Sequence, residues 1–472
     1  MNKPEKIVAE DLSEPVTYPV EAFISREYAE LEGERLWSKV WQQAGRVEEL
    51  PEVGSYITYN IMHDSILIVR VAAGEGPDAI RAWHNVCPHR GRRLVGDNTG
   101  GGSVVVKQAQ GAHSACGKAM RFACNYHNWT FDHEGKAAYI PDMEDWLGAL
   151  NEGNTRLTPV KVGCWGGWLW INMDPEAGPL REFLEPVASL IDPFEFEKMR
   201  YRFRYWGIFD CNWKVALEAF LEPYHVQGTH PQLLKYGDFY SFSKAFGLHG
   251  QTGFDSKAHR DAGTAVETSV HRAAGDGDPR VTIAQMQAEY WETIGASTSE
   301  TLVRTAQRLP QELPEGTPAA EVHKRWLDMA RAEDAARGVA WPDLTDAQIA
   351  AAGLALSIFP NVNFIPGPTF ALAYRVRPHG SDPDKCIFEA VALDRFAEGQ
   401  EPQTEWTYVE QDLDKWPYVI AQDISNMVEV QRGYKSRGFR GNLPNPWQER
   451  KVTNLHRGLA QYMGMGALKP LA

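Results

Sequence analysis

Two short segments of this sequence each place a histidine within three residues of a cysteine. They read CPHRG at residues 87–91 and CNYHNW at residues 124–129. A thiolate and an imidazole at such close spacing are typical metal ligands. Buried cysteines are often inert core residues, but two independent Cys/His pairs make that interpretation weak. We therefore expect a metal centre with four ligands: Cys87, His89, Cys124 and His127.

Two kinds of metal centre fit two cysteines and two histidines. A tetrahedral zinc ion would bind all four side chains, whereas a Rieske [2Fe–2S] cluster would place both cysteines on one iron and both histidines on the other. Zinc fingers usually combine a Cys-x-x-Cys pair with a His pair, but here each segment repeats a Cys-then-His order. Gly91 and Trp129 also suit a cluster, because a glycine lets the backbone approach the sulfides and an indole shields them from water. The order of the ligands favours the [2Fe–2S] cluster.

The composition narrows the class of protein further. The chain has 472 residues, 43% of them hydrophobic, which is enough for two or three domains with a sizeable core. A net charge of -14 would repel a phosphate backbone, so we expect no nucleic-acid partner. Six unevenly spaced cysteines cannot form a disulfide framework and indicate a reducing compartment. The first 16 residues contain no apolar stretch, and the most apolar window, residues 162–173, is too short for a bilayer. The sequence therefore predicts a soluble cytoplasmic protein without a membrane partner.

The pattern of residues divides the chain into three parts and predicts the α+β class. Residues 1–44 are charged, with a helical pattern that Ser25 can cap, and we expect them to pack on the larger domain. Residues 45–178 consist of short alternating runs between glycines, which predicts a small antiparallel β domain that carries both Cys/His segments. Residues 179–472 mix strands and helices, and a helical insertion is predicted at about 255–350.

A second candidate site follows the β domain at residues 212–230, NWKVALEAFLEPYHVQGTH. We predict a helix from Trp213 to Leu221. On an ideal helix His225 and His230 would lie about 140° apart, so they converge only if the helix is distorted, as a glycine and two prolines nearby predict. Glu222 and His225 are three residues apart and would share a face, which favours a carboxylate–imidazole hydrogen bond. Taken alone, the segment fits two unrelated histidines beside solvated glutamates equally well.

Together the three segments resemble the large (α) subunit of the Rieske non-haem iron, aromatic-ring-hydroxylating oxygenases. The resemblance rests on Cys-x-His-Arg-Gly, Cys-x-x-His-x-Trp and Asn-Trp-Lys…Glu…Tyr-His-x4-His in the family's order, and it covers about 40–240 and 355–460. It implies a small antiparallel β Rieske domain and a larger, helix-grip-like catalytic domain, an antiparallel sheet with helices. It also implies a [2Fe–2S] cluster on the four Cys/His ligands and a mononuclear Fe(II) on His225 and His230. The sequence has no extra loop cysteines like those of respiratory Rieske proteins, so the implied cluster is a lower-potential, ferredoxin-like one.

The third iron ligand implied by the resemblance is a carboxylate much later in the chain. The segment QDISNM at residues 422–427 matches the family's late Asp segment and makes Asp423 the favoured ligand. Asp412, in a Glu-Gln-Asp run, is the competing candidate.

Two departures from the family pattern affect the candidate sites. The family usually has Asp where this chain has Glu222. In the family this catalytic carboxylate bridges the first iron histidine to a Rieske histidine of the neighbouring subunit. The resemblance therefore implies that Glu222 bridges His225 to His127 of a second copy. Glutamate keeps the charge, so we expect the bridge to survive. The stretch 90–123 is about twice as long as is usual, and we interpret it as a surface loop insertion. Cys116 within it is a less favoured additional or substitute ligand.

The resemblance implies a terminal oxygenase that uses O₂. Electrons would come from NAD(P)H through a separate reductase, directly or by way of a ferredoxin, since the chain has no flavin- or nicotinamide-binding glycine fingerprint. The expected reaction is dihydroxylation of an aromatic or other apolar substrate, as in aromatic hydrocarbon catabolism, by a homotrimer (α₃) or an α₃β₃ assembly. Monooxygenation or demethylation on the same scaffold stays open. An electron-carrying Rieske protein and a zinc-binding protein are less favoured.

Two features bear on where such a substrate would bind. Long excursions near a site often form lids, so part of the specificity is expected in the insertion at 255–350. An aromatic stripe follows the iron histidines, and we interpret it first as core packing and only second as a pocket wall. Its members are Phe239, Tyr240, Phe242 and Phe246.

Overall fold

The computed structural model describes residues 14–74, 76–96, 115–237, 239–254 and 277–471. It confirms the predicted α+β class, with helices beside largely antiparallel sheets. Two compact units are present, and each is described by itself. The smaller unit comprises residues 29–183 and 378–381, and the larger comprises the residues up to 28 together with 184–377 and 382 onward. Across the described ranges, every helix is too short or too polar to cross a bilayer.

The strands of the described residues are numbered in chain order. They are β1 (Val16–Thr17), β2 (Gln42–Arg46), β3 (Ser55–Ile61), β4 (Asp64–Arg70), β5 (Ile80–His84), β6 (Cys116–Lys118), β7 (Phe122–Ala123), β8 (Thr130–Phe131), β9 (Ala137–Tyr139), β10 (Pro159–Trp165), β11 (Trp168–Asn172), β12 (Arg200–Phe209), β13 (Ser241–Phe246), β14 (His249–Phe254), β15 (Ala355–Ile358), β16 (Val362–Pro366), β17 (Phe370–His379), β18 (Asp382–Asp394), β19 (Trp406–Tyr408) and β20 (Lys469–Pro470).

The α-helices are numbered in the same way. They are α1 (Glu21–Ile24), α2 (Arg26–Glu32), α3 (Glu152–Thr155), α4 (Leu180–Leu184), α5 (Val187–Ile191), α6 (Trp213–Glu218), α7 (Val226–Thr229), α8 (Pro279–Thr293), α9 (Glu300–Ala306), α10 (Leu309–Glu312), α11 (Ala319–Ala336), α12 (Asp346–Ala352), α13 (Tyr418–Tyr434) and α14 (Arg450–Met463).

The smaller unit is built on a seven-stranded antiparallel sheet in the order β2-β11-β10-β5-β4-β3-β6, and β7, β8 and β9 form a second, three-stranded sheet. The runs SYITYNI and DSILIVR are rich in β-branched and aromatic residues and pair as a hairpin, with Ile61 opposite Asp64. The segment 87–91 follows β5, and the segment 124–129 joins β7 to β8. Cys87 and Cys124 lie in one buried core cluster, so the two segments meet inside this unit.

The larger unit is built on an eight-stranded sheet in the order β13-β14-β15-β16-β17-β18-β12-β19. Its strands pair antiparallel except for β12 and β19, which are parallel. Helices α6 and α7 lie between β12 and β13 in the chain, and α13 follows β19. Helix α14 packs on β13 and β14.

Local differences from the predicted elements have physical causes. The helix predicted for residues 213–221 ends at Glu218, because the N–H groups of Phe220 and Leu221 bond to carbonyls only three residues back. Pro223 follows, and a proline disfavours helical geometry in the residue before it. Ser25 caps α2 as predicted, since its Oγ accepts from the Tyr28 N–H. The predicted insertion contains α8 to α12, and its residues 255–276 lie outside the described part of the chain.

Candidate metal centres

The two Cys/His loops of the smaller unit have the same main-chain hydrogen bonds. The Cys87 N–H donates to the Arg92 carbonyl, and the Gly91 N–H donates back to the Cys87 carbonyl. The second loop repeats this pattern: the Cys124 N–H donates to the Trp129 carbonyl, and the Asn128 N–H donates back to the Cys124 carbonyl. The residue four positions after the cysteine has a positive φ in both loops, 73° at Gly91 and 60° at Asn128. Glycine and asparagine tolerate this conformation best, which explains why these residue types close the loops.

The side chains of the two loops converge in a protected setting. Cys87 and Cys124 are each only 2% exposed. The ring centroids of His89 and His127 lie 4.5 Å apart, and Trp129 stacks on His89 with an interplanar angle of 6°. The Nδ1 atoms of both histidines are buried and have no hydrogen-bond partner. A buried polar atom without a partner is costly, so two such Nδ1 atoms on neighbouring rings are a strong sign that these histidines bind a metal.

The donor set fits a [2Fe–2S] cluster better than one zinc ion. Ligands of one tetrahedral zinc would all lie within about 4 Å of one another, given bonds of about 2.0–2.3 Å. Among the described residues only His225, His230 and Asp423 form such a tight group within 4.8 Å. The four Cys/His ligands are more widely spread, as two irons with bridging sulfides require.

The protonation of these ligands responds to their surroundings. Burial raises the pKa of Cys87 to about 11, and burial together with His127 lowers the pKa of His89. Neutral imidazoles are the form that binds metal, whereas a buried thiol needs a metal to lose its proton.

Cys116, the alternative ligand, is not a member of the buried core cluster that contains Cys87 and Cys124. It is an exposed residue of β6, where it pairs with Ile57 of β3. None of the six cysteines, which all lie in the described ranges, forms a disulfide. His113 and most of the long stretch between the loops, residues 97–114, lie outside the described residues.

The second centre lies in the larger unit, where the chain leaves regular helical geometry. Helix α7 has only four residues, and His230 at its end has φ −122° and ψ 50°. The angular separation expected on an ideal helix therefore no longer applies, and both imidazoles face one carboxylate. Asp423 Oδ1 lies 2.9 Å from His230 Nε2 and 3.5 Å from His225 Nε2. The predicted His225, His230 and Asp423 are thus brought together by α7 and α13.

The Nδ1 atoms of both histidines are held by other side chains. His225 Nδ1 lies 2.9 Å from Glu222 Oε1, and Glu222 Oε2 accepts from the His225 backbone N–H at 3.0 Å. His230 Nδ1 lies 2.9 Å from Gln422 Oε1, which also accepts from Gln232. Because a carboxylate or amide oxygen only accepts, Nδ1 carries the proton in each ring. Each ring is thereby oriented so that its Nε2, the atom that would bind a metal, faces Asp423.

The competing carboxylate does not join this group. Asp412 is exposed, and its side chain accepts from the Asp414 N–H at the start of a short 3₁₀ turn. Asp423 is 5% exposed and faces both imidazoles. The geometry therefore favours Asp423 as the third ligand.

The electrostatics of the centre favour a cation. Burial opposes protonation of His225, but the carboxylates of Glu222 and Asp423 outweigh it and raise its pKa to about 9. Once His225 has lost this proton, the two imidazoles and the Asp423 carboxylate match the two-histidine, one-carboxylate set that binds non-haem Fe(II). A metal would have to displace that proton, so metal binding here releases protons.

A cavity of about 300 Å³ opens beside this group of three ligands. Its walls are mainly apolar, with Phe220 stacked on Tyr374 and Phe239 packed edge-on against Phe254. Of the predicted aromatic stripe, Phe239 lines the cavity, while Phe242 and Phe246 lie on β13. Of its described residues, the helical insertion contributes three to the lining: Tyr290, Ile294 and Ser297.

Sequence reasoning missed several residues of the centre. Gln422 holds His230, yet it looks like any polar residue of a helix, and only its place beside Asp423 hinted at a role. Asn363 lines the cavity, and Lys451 donates to its Oδ1 although 88 residues separate the two in the chain. Glu218 Oε1 lies 2.6 Å from His456 Nε2. Glu218 also lines a second cavity together with Glu222 and His225. No local motif could have linked these positions.

Comparison with known families gives two matches. Residues 194–465 match the ring hydroxylating alpha subunit (catalytic domain), and residues 40–159 match the Rieske [2Fe-2S] domain. The Rieske match thus precedes the match to the catalytic domain in the chain.

Two curated relatives are oxygenase subunits of monooxygenases. The chain is 28% identical over 207 residues to the glycine betaine monooxygenase oxygenase subunit of Pseudomonas aeruginosa, which covers 44% of this chain and 43% of the relative. It is 31% identical over 221 residues to the carnitine monooxygenase oxygenase subunit of Acinetobacter pittii, with 46% and 53% covered. The matches span about half the length of these curated relatives.

Solved structures share the fold over nearly the whole chain. The quaternary ammonium Rieske monooxygenase CntA in complex with L-carnitine has a TM-score of 0.60 at 19% identity, covering 98% of this chain and all of that one. Naphthalene 1,2-dioxygenase from Rhodococcus has a TM-score of 0.58 at 18% identity, with 95% and 94% covered.

Proposed function

We propose that this chain, which belongs to the family of ring-hydroxylating alpha subunits, is the terminal oxygenase component of an O₂-dependent enzyme system. The convergence of His225, His230 and Asp423 beside an apolar cavity carries this proposal. The unpartnered Nδ1 atoms of His89 and His127 support a second, [2Fe–2S] centre with Cys87 and Cys124.

The two metal groups would supply O₂ activation and electron transfer. Bound Fe(II) with three protein ligands keeps coordination positions open for O₂, and a Rieske cluster supplies electrons one at a time. The protein contributes orientation and a dry setting. Glu222 keeps a proton on His225 Nδ1, Gln422 does the same for His230, and the aromatic walls exclude water from the reacting substrate.

Electron supply and assembly belong to the same proposal. The sequence has no flavin- or nicotinamide-binding glycine fingerprint, so we propose that a separate NAD(P)H-dependent reductase, directly or through a ferredoxin, reduces the chain. Glu222 is 10% exposed and touches His225, which suits the bridge to His127 of a second copy that the family resemblance implies. We therefore propose a trimer, α₃ or α₃β₃.

The substrate and the number of oxygen atoms transferred are further parts of the proposal. The apolar cavity supports an aromatic or other apolar substrate. Dihydroxylation is the main reaction expected from the sequence. Two observations favour monooxygenation or demethylation as the second candidate: Glu222 in place of the family's usual Asp, and relatives whose names describe monooxygenases.

Spectroscopy of the purified protein tests the metal content. Dithionite reduction should give a Rieske-type electron paramagnetic resonance signal, with about three irons and about two sulfides per chain. Nitric oxide added to the reduced protein should give the signal of a mononuclear Fe(II) adduct. A colourless protein containing zinc would contradict the proposed function.

A single turnover then tests the reaction without a reductase. The pre-reduced protein is mixed with ¹⁸O₂ and one of four probes: naphthalene, toluene, glycine betaine or L-carnitine. Two labelled oxygens in one product identify dihydroxylation. One labelled oxygen, or release of an amine and an aldehyde from a quaternary ammonium probe, identifies monooxygenation. Full metal occupancy with electron loss but neither a labelled product nor an aldehyde from any probe would contradict the proposed substrate range.

A further inference from the structure

A tyrosine hydroxyl on the wall of the substrate cavity has no protein partner. Tyr374 of β17 is 3% exposed, yet its hydroxyl oxygen retains accessible surface and the residue lines the cavity. Within the described part of the chain, no side chain and no carbonyl forms a hydrogen bond with this hydroxyl. A ligand in the cavity can therefore reach it, which distinguishes Tyr374 from polar atoms that are sealed inside the wall.

The ring that carries this hydroxyl is fixed by its neighbours. Phe220 stacks on the Tyr374 ring with centroids 4.0 Å apart and an interplanar angle of 22°, and the Phe388 centroid lies 5.8 Å away. Phe370, Leu372 and Tyr374 alternate along β17 onto one face of the sheet, and all three line the cavity. The hydroxyl is thus held in place before a ligand binds, which lowers the entropic cost of a specific hydrogen bond.

The Tyr374 hydroxyl is a hydrogen-bond donor at neutral pH. Burial, with the Asp423 charge acting in the same direction, raises the pKa of Tyr374 above its usual value of about 10. The phenol therefore keeps its proton and can donate it to an oxygen atom of a ligand.

The charges of the wall favour an uncharged acceptor. Among the described lining residues there is no lysine or arginine to pair with an anionic ligand. The lining carboxylates belong to the metal centre, where Glu222 holds His225 and Asp423 faces both imidazoles. An ether or carbonyl oxygen can accept from Tyr374 without bringing an unpaired charge into an apolar cavity, where such a charge is costly.

A ligand without such an oxygen would leave the hydroxyl without a partner. A hydrocarbon that fills the cavity of about 300 Å³ displaces the water that would otherwise solvate Tyr374. A desolvated donor without an acceptor costs free energy, and a site built to hydrogen-bond a ligand atom rejects the analogue that lacks it.

We propose that the substrate is an apolar molecule with an uncharged oxygen group, an ether or a carbonyl, that accepts a hydrogen bond from Tyr374 Oη. This inference deepens the proposed function and rests on it, since it assigns the cavity to the substrate. The apolar part of the substrate lies along Phe220 and the other aromatic walls. Tyr374 is a binding residue for specificity, because it selects the substrate and orients it beside the three metal ligands.

Ligand pairs of equal shape test this inference by anaerobic calorimetry on the protein as purified, which needs no turnover. Each pair exchanges an oxygen for a carbon group: anisole and ethylbenzene, acetophenone and 2-phenylpropene, and 2-methoxynaphthalene and 2-ethylnaphthalene. For at least one pair, the wild-type protein should bind the oxygen compound about 10-fold more tightly than the hydrocarbon. A wild type that prefers the oxygen compound in no pair would overturn the inference.

Tyr374→Phe locates the effect, because it removes only the hydroxyl and keeps the stacked ring. It should weaken the oxygen compound about 10-fold, while the hydrocarbon binds at least as tightly as to the wild type, since no donor is left without a partner. A purely structural role would weaken both ligands equally and overturn the inference. Tyr408→Phe, at an exposed tyrosine of β19, is the matched control and should change neither affinity. Loss of the preference in Tyr290→Phe but not in Tyr374→Phe would show that the assignment to Tyr374 is wrong.

The infrared carbonyl band of bound acetophenone reports the hydrogen bond directly. The band should lie at a lower wavenumber in the wild type than in Tyr374→Phe, because a donated hydrogen bond weakens the C=O bond. If the variant fails to fold, the wild-type band is compared with that of acetophenone in hexane. Coincidence of the two bands in either comparison would overturn the inference.

The outcomes separate this inference from the proposed function. Phenyltrimethylammonium and tert-butylbenzene have the same shape and differ in charge, so a preference for the cation without any preference for an oxygen compound would indicate cation–π recognition. In a protein with both metal groups, that result overturns the inference and leaves the oxygenase intact. An oxygen preference that is lost in Tyr374→Phe, in a protein that contains zinc and no iron, would support the role of Tyr374 and contradict the oxygenase.

Discussion

Asp423 Oδ1 lies 2.9 Å from His230 Nε2, although 193 residues separate the two in the chain. Helix α13 brings the carboxylate to the end of α7, where the backbone of His230 has left helical geometry. The contact joins two distant segments of the larger unit, and a metal ion between them would strengthen it. The stability of this part of the fold is thus coupled to metal binding.

Replacing Asp423 by alanine should remove the mononuclear iron and spare the cluster, because two imidazoles alone bind Fe(II) weakly. Iron analysis should fall from about three to about two irons per chain, and the nitric oxide signal should disappear. Asp412→Ala is the matched control, since that carboxylate is exposed and only caps a turn. Loss of iron in the control instead would assign the ligand to Asp412.

Replacing Glu222 by glutamine should leave both metal groups in place but lower turnover by roughly 10- to 100-fold. The amide keeps the shape of the side chain but removes the charge that accepts from His225 Nδ1. Glu222→Asp restores the charge on a shorter side chain and should lose less than about 10-fold. Product formation measured per bound iron checks this, and an undiminished rate in the glutamine variant would exclude the bridging role.

Replacing Cys116 by serine should leave the cluster intact, because this residue is exposed on β6 whereas Cys87 and Cys124 are buried together. Visible absorption and sulfide content should equal those of the wild type. Cys124→Ser is the comparison and should lose the cluster. A cluster that disappears with Cys116 would show that the long stretch between the loops supplies a ligand.

Replacing Glu389 by glutamine should destabilise the larger unit by about 3–5 kcal/mol. The Glu389 carboxylate is 1% exposed and accepts from Arg375 and Arg377 of β17, so its loss leaves buried positive charge. Asp328→Asn breaks the exposed Lys324 pair on α11 and should cost at most about 1 kcal/mol. Urea denaturation compares the two, and equal shifts in midpoint would contradict a buried ionic core.

Replacing Glu218 by glutamine should change how stability depends on pH. Burial raises the pKa of Glu218 to about 8, with Lys214 opposing and Glu222 reinforcing the shift. Between about pH 4.3, where the unfolded chain loses this proton, and pH 8, the folded chain retains it, so wild-type stability falls as pH rises. The glutamine cannot ionise, and the variant should melt higher than the wild type at pH 8 but not at pH 4.5.

The expected difference in melting temperature at pH 8 is roughly 2–4 °C, the shift that about 1 kcal/mol produces in a domain of a few hundred residues. The Glu218 side chain is 15% exposed at a cavity wall, so water reduces the full effect of burial. Glu429→Gln on the surface of α13 is the control. Parallel melting curves for wild type and Glu218→Gln across the whole pH range would contradict a protonated Glu218.

Ligands that lie close together in the sequence could be predicted from it. Cys87 and His89 are two residues apart, as tight ligand spacing requires, and the pattern repeats at Cys124. Strand and helix patterns likewise predicted the α+β class, because burial on one face leaves a periodic trace. His225 and His230 needed the family resemblance, since their convergence depends on backbone angles that the sequence only hints at.

The contacts between residues that are far apart in the chain could not be predicted from residue patterns alone. Carboxylates are common on helix surfaces, so Asp423 could be chosen over Asp412 only by resemblance. Lys451 gives no signal at all, because a lysine is expected in solvent and its burial depends on Gly250 and Asn363 of two distant strands. The lining residues of the insertion depend on how α8 ends, which only the three-dimensional structure shows.

The same main-chain hydrogen bonds fix the backbone of both cysteine loops. The positions of the cysteine ligands therefore do not depend on the polarity of the side chains around them. The positions of the cysteine sulfurs follow from the backbone of each loop, so the intervening side chains that are not ligands are open to exchange. Arg90 lies 5.3 Å over the ring of Tyr126, one from each loop. Altering this cation–π pair would change the charge and solvation next to the cluster, and with them its midpoint potential, at constant iron–ligand geometry. The smaller unit therefore offers a protein engineer a way to match the chain to electron donors of different driving force.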